Sequence, residues 1–245
     1  MGRISETIKV LIVINVLFFV GTLMNERLSF SLFSLFYFEN PNFHFWQPLT
    51  HMFMHGGFMH ILFNMYALWA FGTPLEMRWG RTKFLFFYFS AGFGAALIHT
   101  LVNYYNVTSV SDALLQAGWS QADIMNYLTI GEGGSRAVLE SVSMDSINSM
   151  ADSFNTPAVG ASGAIYGILV AFAIMFPNIE LMLIFLPVPI KAKYFVPGLI
   201  AMDLIFGITG SQMGIAHWAH IGGALFGFIM AWYWKKNSFD NTRIY

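Results

Sequence analysis

Six apolar stretches, each close to the length of a bilayer-crossing helix, constrain this chain more than any other feature. They fall at 8–24, 58–75, 84–103, 159–176, 195–209 and 218–234, and a transmembrane helix needs about 20 mostly apolar residues. In hydrocarbon each backbone polar group must find its partner inside the protein, so runs of this length are expected as helices. The fold class that follows is all-α: a polytopic membrane protein in which residues 1–245 form one six-transmembrane-helix bundle. Composition agrees, because only 10% of the 245 residues are charged and 56% are hydrophobic, whereas a soluble domain carries roughly 25% charged residues. A soluble enzyme, a disordered chain and a nucleic-acid binder are therefore poor readings. The formal net charge of −1 provides no global field for an anionic partner. With no cysteine present, disulfides, thiolate metal sites and cysteine nucleophiles are excluded.

Two segments need separate treatment. Arg3 and Lys9 ahead of the first apolar run would suit a signal peptide, but Gly21-Thr22-Leu23-Met24 lacks the small-residue cleavage pattern, so a span is expected. The stretch 181–189 is apolar but short and holds Pro187 and Pro189, which predicts an interfacial or re-entrant connection between the fourth and fifth spans.

Basic residues set the direction of the helices, since cytoplasmic loops retain Lys and Arg. With the amino terminus inside, the inner segments hold Arg3, Lys9, Arg78, Arg81, Lys83, Lys191, Lys193, Lys235, Lys236 and Arg243, and the outer ones only Arg27 and Arg136. Ten of the twelve basic residues then lie inside, which places both termini in the cytoplasm and the protein in the cell (plasma or inner) membrane. The outer loop 25–57 is rich in Phe, Leu and Trp, as suits a segment lying in the outer leaflet. The outer loop 104–157 is a polar extracytoplasmic insertion carrying Asp112, Asp123, Glu132, Glu140, Asp145 and Asp152 against the single base Arg136. Ser111-Asp112 reads as a helix start, and two or three short helices are expected there, with no chemistry of their own.

Strongly polar side chains inside a membrane are costly and mark functional candidates. The candidates singled out in the apolar runs are His60, Asn64, His99, Ser162 and Asp203, with His217 and His220 where the last run begins. The second, fourth and sixth spans all run outside to inside, so His60, Asn64, Ser162 and His220 fall at similar depth below the outer surface. His60 and Asn64 are four residues apart, hence on one helical face. Gly163 and Gly167 follow Ser162 as one G-x-x-x-G pair, and Gly223 and Gly227 follow His220 as another. Such pairs let helix backbones approach closely. If those faces meet, a hydroxyl and an imidazole come within hydrogen-bond reach. Serine is a weak nucleophile until a neutral imidazole takes its proton, and the resulting oxyanion needs donors of the kind His60, Asn64 and the Ser162 backbone N–H supply. No acid stands near Ser162 or His220 in sequence, so the expected unit is a dyad, with the Tyr166 ring orienting the imidazole.

The residues that carry this chemistry resemble the rhomboid-family intramembrane serine proteases. Residues 46–65 (WQPLTHMFMHGGFMHILFNM) are similar to that family's H-x-x-x-N second span, 160–163 (GASG) to its serine motif, and 219–227 (AHIGGALFG) to its A-H-x-x-G-x-x-x-G. Residues 72–80 (GTPLEMRWG) resemble the turn after its second span. The resemblance implies a rhomboid-like bundle with nucleophile Ser162, base His220, oxyanion donors His60 and Asn64, and supporting Gly160, Gly163, Gly223 and Gly227. Its long 104–157 insertion departs from the usual pattern. Transmembrane protein substrates within the lipid bilayer are the implied partners; no nucleic acid, metal or organic cofactor is expected. The rival readings are a rhomboid-like client-binding protein without catalysis and a small transporter using the histidines and Asp203 as a proton path.

Several polar residues have blander expectations. His51 and His55 are four apart and with His60 could suggest a metal site, but the break at Gly56-Gly57 and the lack of a nearby carboxylate argue against one. His99 and His217 are expected near the outer interface, satisfied by water or a backbone carbonyl. Asp203 is expected to make a structural hydrogen bond. Gly207, Gly210 and Gly214 suggest a pliable loop before the last span.

Overall fold

The computed structural model describes residues 4–183, 186–210 and 215–237; Arg3, Gly214 and Arg243 lie outside the described residues. The chain runs α1 (Glu6–Met24), α2 (Glu26–Phe33), α3 (Gln47–Thr50), a 3₁₀ turn (His51–Phe53), α4 (Phe58–Ala67), a π turn (Leu68–Gly72), α5 (Thr73–Trp79) and α6 (Arg81–Gln116). It continues through α7 (Gln121–Ile130), α8 (Arg136–Leu139), α9 (Met144–Asn155), α10 (Ser162–Met175), β1 (Glu180–Leu183), β2 (Leu186–Lys191), α11 (Ala192–Thr209) and α12 (His217–Asn237). Each of the six apolar runs contains helix, the second as α4, the π turn and the start of α5, and the fourth only over Ser162–Met175. Of these helices, α1, α6 and α11 are long and apolar enough to cross a membrane, and α10 is a shorter apolar helix.

Three differences from the sequence reading have local causes. In the connection 181–189 the described residues form two antiparallel strands, with Glu180 paired to Lys191 and Leu181 to Ile190. Pro187 and Pro189 sit in a two-stranded sheet, where every strand is an edge and a missing N–H is tolerated. The fold is thus nearly, not wholly, all-α. Second, α6 does not stop near Asn103 but continues to Gln116. Its 36 residues span roughly 54 Å at 1.5 Å per residue. Ser111-Asp112 consequently lies inside the last two turns of α6; the nearby helix start is Ser120, whose hydroxyl accepts from the Asp123 N–H while the Asp123 carboxylate accepts from the Ser120 N–H. Third, Gly207 is inside α11 with Trp218 packed over it, and Gly210 ends that helix at φ +68°.

The core is built around α10, nine of whose 14 residues are buried. Against it pack α6 and α12, in a three-helix seam lined by small residues. A Cβ on Gly223 would stand 1.8 Å from the Gly163 carbonyl oxygen, and one on Gly227 2.4 Å from the Gly167 Cα. On the α6 side, Gly163 and Gly167 face the Ala95 and Ala91 methyls. These contacts leave room for backbone alone. A second, smaller core of Tyr37, Val107, Leu114, Trp119, Ile124, Leu128, Met150 and Phe154 joins α7 and α9 to the C-terminal part of α6. Asn40 donates to the Phe154 carbonyl, and a Leu35–Ala158 bridge ties the first loop to the segment entering α10. At the opposite end Trp79, Phe87 and Trp234 cluster with the Lys83 ammonium 4.3 Å above the Trp234 ring. Such aromatic and basic groupings are typical of a membrane–water interface. The Glu76 carboxylate accepts from the Ser5 hydroxyl and the Thr7 N–H, pinning the start of α1 to α5.

Candidate active site

Ser162 opens α10, and the backbone before it is shaped by Gly160. At φ +123° that residue occupies a region disfavoured for side chains, and its N–H donates to the His51 carbonyl at 2.9 Å. A Cβ there would lie 2.8 Å from His60 Nε2 and 3.4 Å from Ser162 Oγ, so Gly160 is the gap across which those two groups face one another. The main-chain bend puts the hydroxyl at the first helical position, where N–H groups lack intrahelical partners and the helix dipole favours negative charge.

Across the glycine seam, His220 lies in the first turn of α12. Its Nε2 is 2.9 Å from Ser162 Oγ. The Tyr166 ring, one turn after Ser162, stacks on the imidazole with centroids 4.2 Å apart and planes 12° from parallel. His60, in the first turn of α4, turns its Nδ1 toward the Gly56 N–H at 3.4 Å and packs edge-on against His55. Asn64, on the same face, is buried, and its Nδ2 has no hydrogen-bond partner among the described residues. The starts of α4, α10 and α12 therefore contribute the expected serine, histidines and glycines to one place. Asn64 makes no side-chain hydrogen bond from its Nδ2 to Ser162 or to any other described residue, and it enters as an uncommitted donor one turn after His60.

Asp203 is the candidate whose partners the sequence does not announce. It is 3% exposed, and its Oδ1 lies 3.2 Å from His220 Nδ1 and 2.5 Å from His217 Nδ1. The isolated dyad expected from sequence thus has a carboxylate on its far side, and His217 finds its partner in that carboxylate, not in water or a backbone carbonyl. Seventeen residues separate Asp203 from His220. The signal that could have joined them is topological: consecutive helices with a short connection are antiparallel neighbours, so the end of α11 faces the start of α12.

The remaining candidates settle elsewhere. His51 Nδ1 faces the Gln47 carbonyl at 2.9 Å and His55 Nδ1 the Phe53 carbonyl at 3.3 Å, so these rings serve the backbone of the first loop. His99 Nε2 faces the Asn103 amide at 3.2 Å. Among the described residues the one group with metal-ligand spacing is Asp203, His217 and His220, whose donor atoms lie within 4.8 Å of one another. Within that group Asp203 Oδ1 meets both Nδ1 atoms, while Asp203 Oδ2 and His217 Nε2 have no hydrogen-bond partner among the described residues.

The arrangement can perform acyl transfer: a hydroxyl against an imidazole nitrogen, beside donors and a helix start. Comparison with known proteins gives the family. A family model described as the Rhomboid domain matches residues 42–237. Rhomboid protease AarA of Providencia stuartii is 30% identical over 189 residues, covering 76% of this chain and 54% of that protein. Presenilin-associated rhomboid-like protein A, mitochondrial, of Danio rerio is 29% identical over 74% of this chain and 34% of its own length. Rhomboid protein 1, mitochondrial, of Saccharomyces cerevisiae is 24% identical over 75% of this chain and 40% of its own. The chain spans from about a third to about half the length of these relatives. With its matched domain and its apolar helices, the chain belongs to the rhomboid family of integral membrane proteins.

Proposed function

We propose that this protein is an intramembrane serine endopeptidase that cleaves transmembrane segments of other membrane proteins near the outer boundary of the bilayer. In this reading six helices cross the membrane (α1, α4–α5, α6, α10, α11 and α12), both termini are cytoplasmic, and residues 104–157 lie outside. The observation that carries it is the 2.9 Å approach of His220 Nε2 to Ser162 Oγ. Supporting it are the unpartnered Asn64 amide and the gap at Gly160 between His60 and the serine.

The chemistry follows from those positions. Ser162 Oγ attacks the scissile carbonyl as His220 takes its proton. His60, the Asn64 amide and the Ser162 N–H donate to the oxyanion, helped by the start of α10. His220 then returns the proton to the leaving amine, and water hydrolyses the acyl-enzyme. A helical substrate must unwind first, because its peptide bonds are enclosed by their own hydrogen bonds. Substrates with small or helix-breaking residues near the outer boundary are therefore favoured.

The test uses full-length protein reconstituted in liposomes with a generic transmembrane substrate and a fluorophosphonate probe. Wild type should cleave and label, whereas Ser162→Ala should do neither and His220→Ala should not cleave. Equal cleavage by all three ends the assignment, and an unlabelled wild type favours a client-binding role without catalysis.

A further inference from the structure

His220 is held on three sides: Ser162 at its Nε2 edge, the Tyr166 ring on one face, and Asp203 at its Nδ1 edge. The carboxylate comes from α11, a helix that exposes Met202, Leu204, Ile205 and Ile208. A carboxylate on such an apolar helix carries a heavy desolvation penalty unless it is partnered, and the partners here are two imidazoles meeting one oxygen. Beyond it, His217 packs against the Phe206 ring, which fixes the outer imidazole from the α11 side.

We propose that Asp203 is a positioning residue for His220, with His217 as the anchor that holds the carboxylate in place. This rests on the protease reading and deepens it. For Nε2 to accept the serine proton, the ring proton must sit on Nδ1, the nitrogen that faces Asp203 Oδ1. An ionised carboxylate can only accept, so that contact favours the one tautomer that leaves Nε2 free as a base. When the serine proton reaches Nε2, the imidazolium forms beside a fixed negative charge, and no proton moves onto Asp203. His217 donates its Nδ1–H to the same oxygen, which stops the carboxylate from rotating away. Tyr166 then controls the plane of the ring while Asp203 controls which nitrogen is bare.

The experiment compares wild type, Ser162→Ala and Asp203→Asn as full-length protein in liposomes, measuring kcat and KM on the transmembrane substrate and the melting temperature. Asparagine keeps the shape and an acceptor but removes the charge and can present its amide to Nδ1. The expected result is a fall in kcat on the order of 10²-fold, the low end of what a positioned acid–base group contributes, with KM and melting temperature unchanged. A merely structural hydrogen bond would survive in Asp203→Asn and leave kcat at the wild-type value, which overturns the proposal. A second measurement needs no change at Asp203. Proton NMR of histidine-labelled wild type should show a downfield imidazole N–H resonance that disappears in His220→Ala, and its absence also overturns the proposal. Active wild type with undiminished Asp203→Asn defeats only this inference, whereas cleavage by Ser162→Ala defeats the protease reading beneath it.

Discussion

Asn64 occupies an environment that a purely structural amide would avoid. It is buried, yet its Nδ2 has no partner among the described residues, and an unsatisfied buried donor costs about 1–3 kcal/mol. A site that must receive an oxyanion gains from such a group, because the donor is in place before the charge appears. Asn64→Ala should therefore lower kcat by about 10²- to 10³-fold without lowering the melting temperature; a lower melting temperature with unchanged kcat would reassign Asn64 to packing. At the same scale, Ser162, His220, His60 and Asn64 were legible in sequence because polar residues stand out against hydrocarbon-matching runs and their spacing follows helical period. Asp203 stood out equally, but its partners did not, since nothing local connects a residue on one helix with a nitrogen on the next.

The decisive element-level feature is the α10–α12 seam, which holds the hydroxyl and the imidazole together by letting two backbones touch. With the Gly163 carbonyl 1.8 Å from where a Gly223 Cβ would be, one methyl must push the helices apart. Gly223→Ala should destabilise the protein by about 1–3 kcal/mol, as overpacking of a tight interior does, and should also slow phosphonate labelling of Ser162. Gly21→Ala on α1, where nothing lies within 4 Å, should leave labelling unchanged and hold or raise the melting temperature. The glycine pairs were readable as close-approach signals; that they face each other was not. The same division applies to the insertion. Its helices were anticipated, but Ser111-Asp112 could not be told from the true start at Ser120, because the packing of α6 against α9 keeps α6 helical past the first candidate.

The Ser120 start also gives a pH prediction. Hydrogen bonds from the Ser120 hydroxyl and N–H hold the Asp123 carboxyl below the ordinary carboxylate range. A depressed folded-state pKa means the stabilisation is present above the unfolded value and is lost as pH falls through the folded one. NMR titration should therefore place the Asp123 midpoint below that of a model aspartate, with the first turn of α7 loosening only as that midpoint is crossed. A midpoint at the model value would mean the capping box is open in solution.

Among the described residues, a polar cluster lies where three helices begin, and a basic, aromatic grouping lies at the opposite end around Lys83, Trp79 and Trp234. Because the chain contains no cysteine, its orientation can be read from single introduced ones. In sealed vesicles, Glu132→Cys should react with an impermeant thiol reagent on the face opposite to that which exposes Lys193→Cys. Reaction of both from the same face would overturn the proposed topology. Apolar runs and charge asymmetry are properties of the chain itself, since the bilayer reads them segment by segment. The sequence thus determined that this is a helical membrane protein and which residues are too polar to be filler. Tertiary structure alone decided that Asp203 stands behind His220 and that the helix leaving the third apolar run carries the insertion. Both are contacts between segments, set by how helices pack against one another, and no local period or composition encodes them.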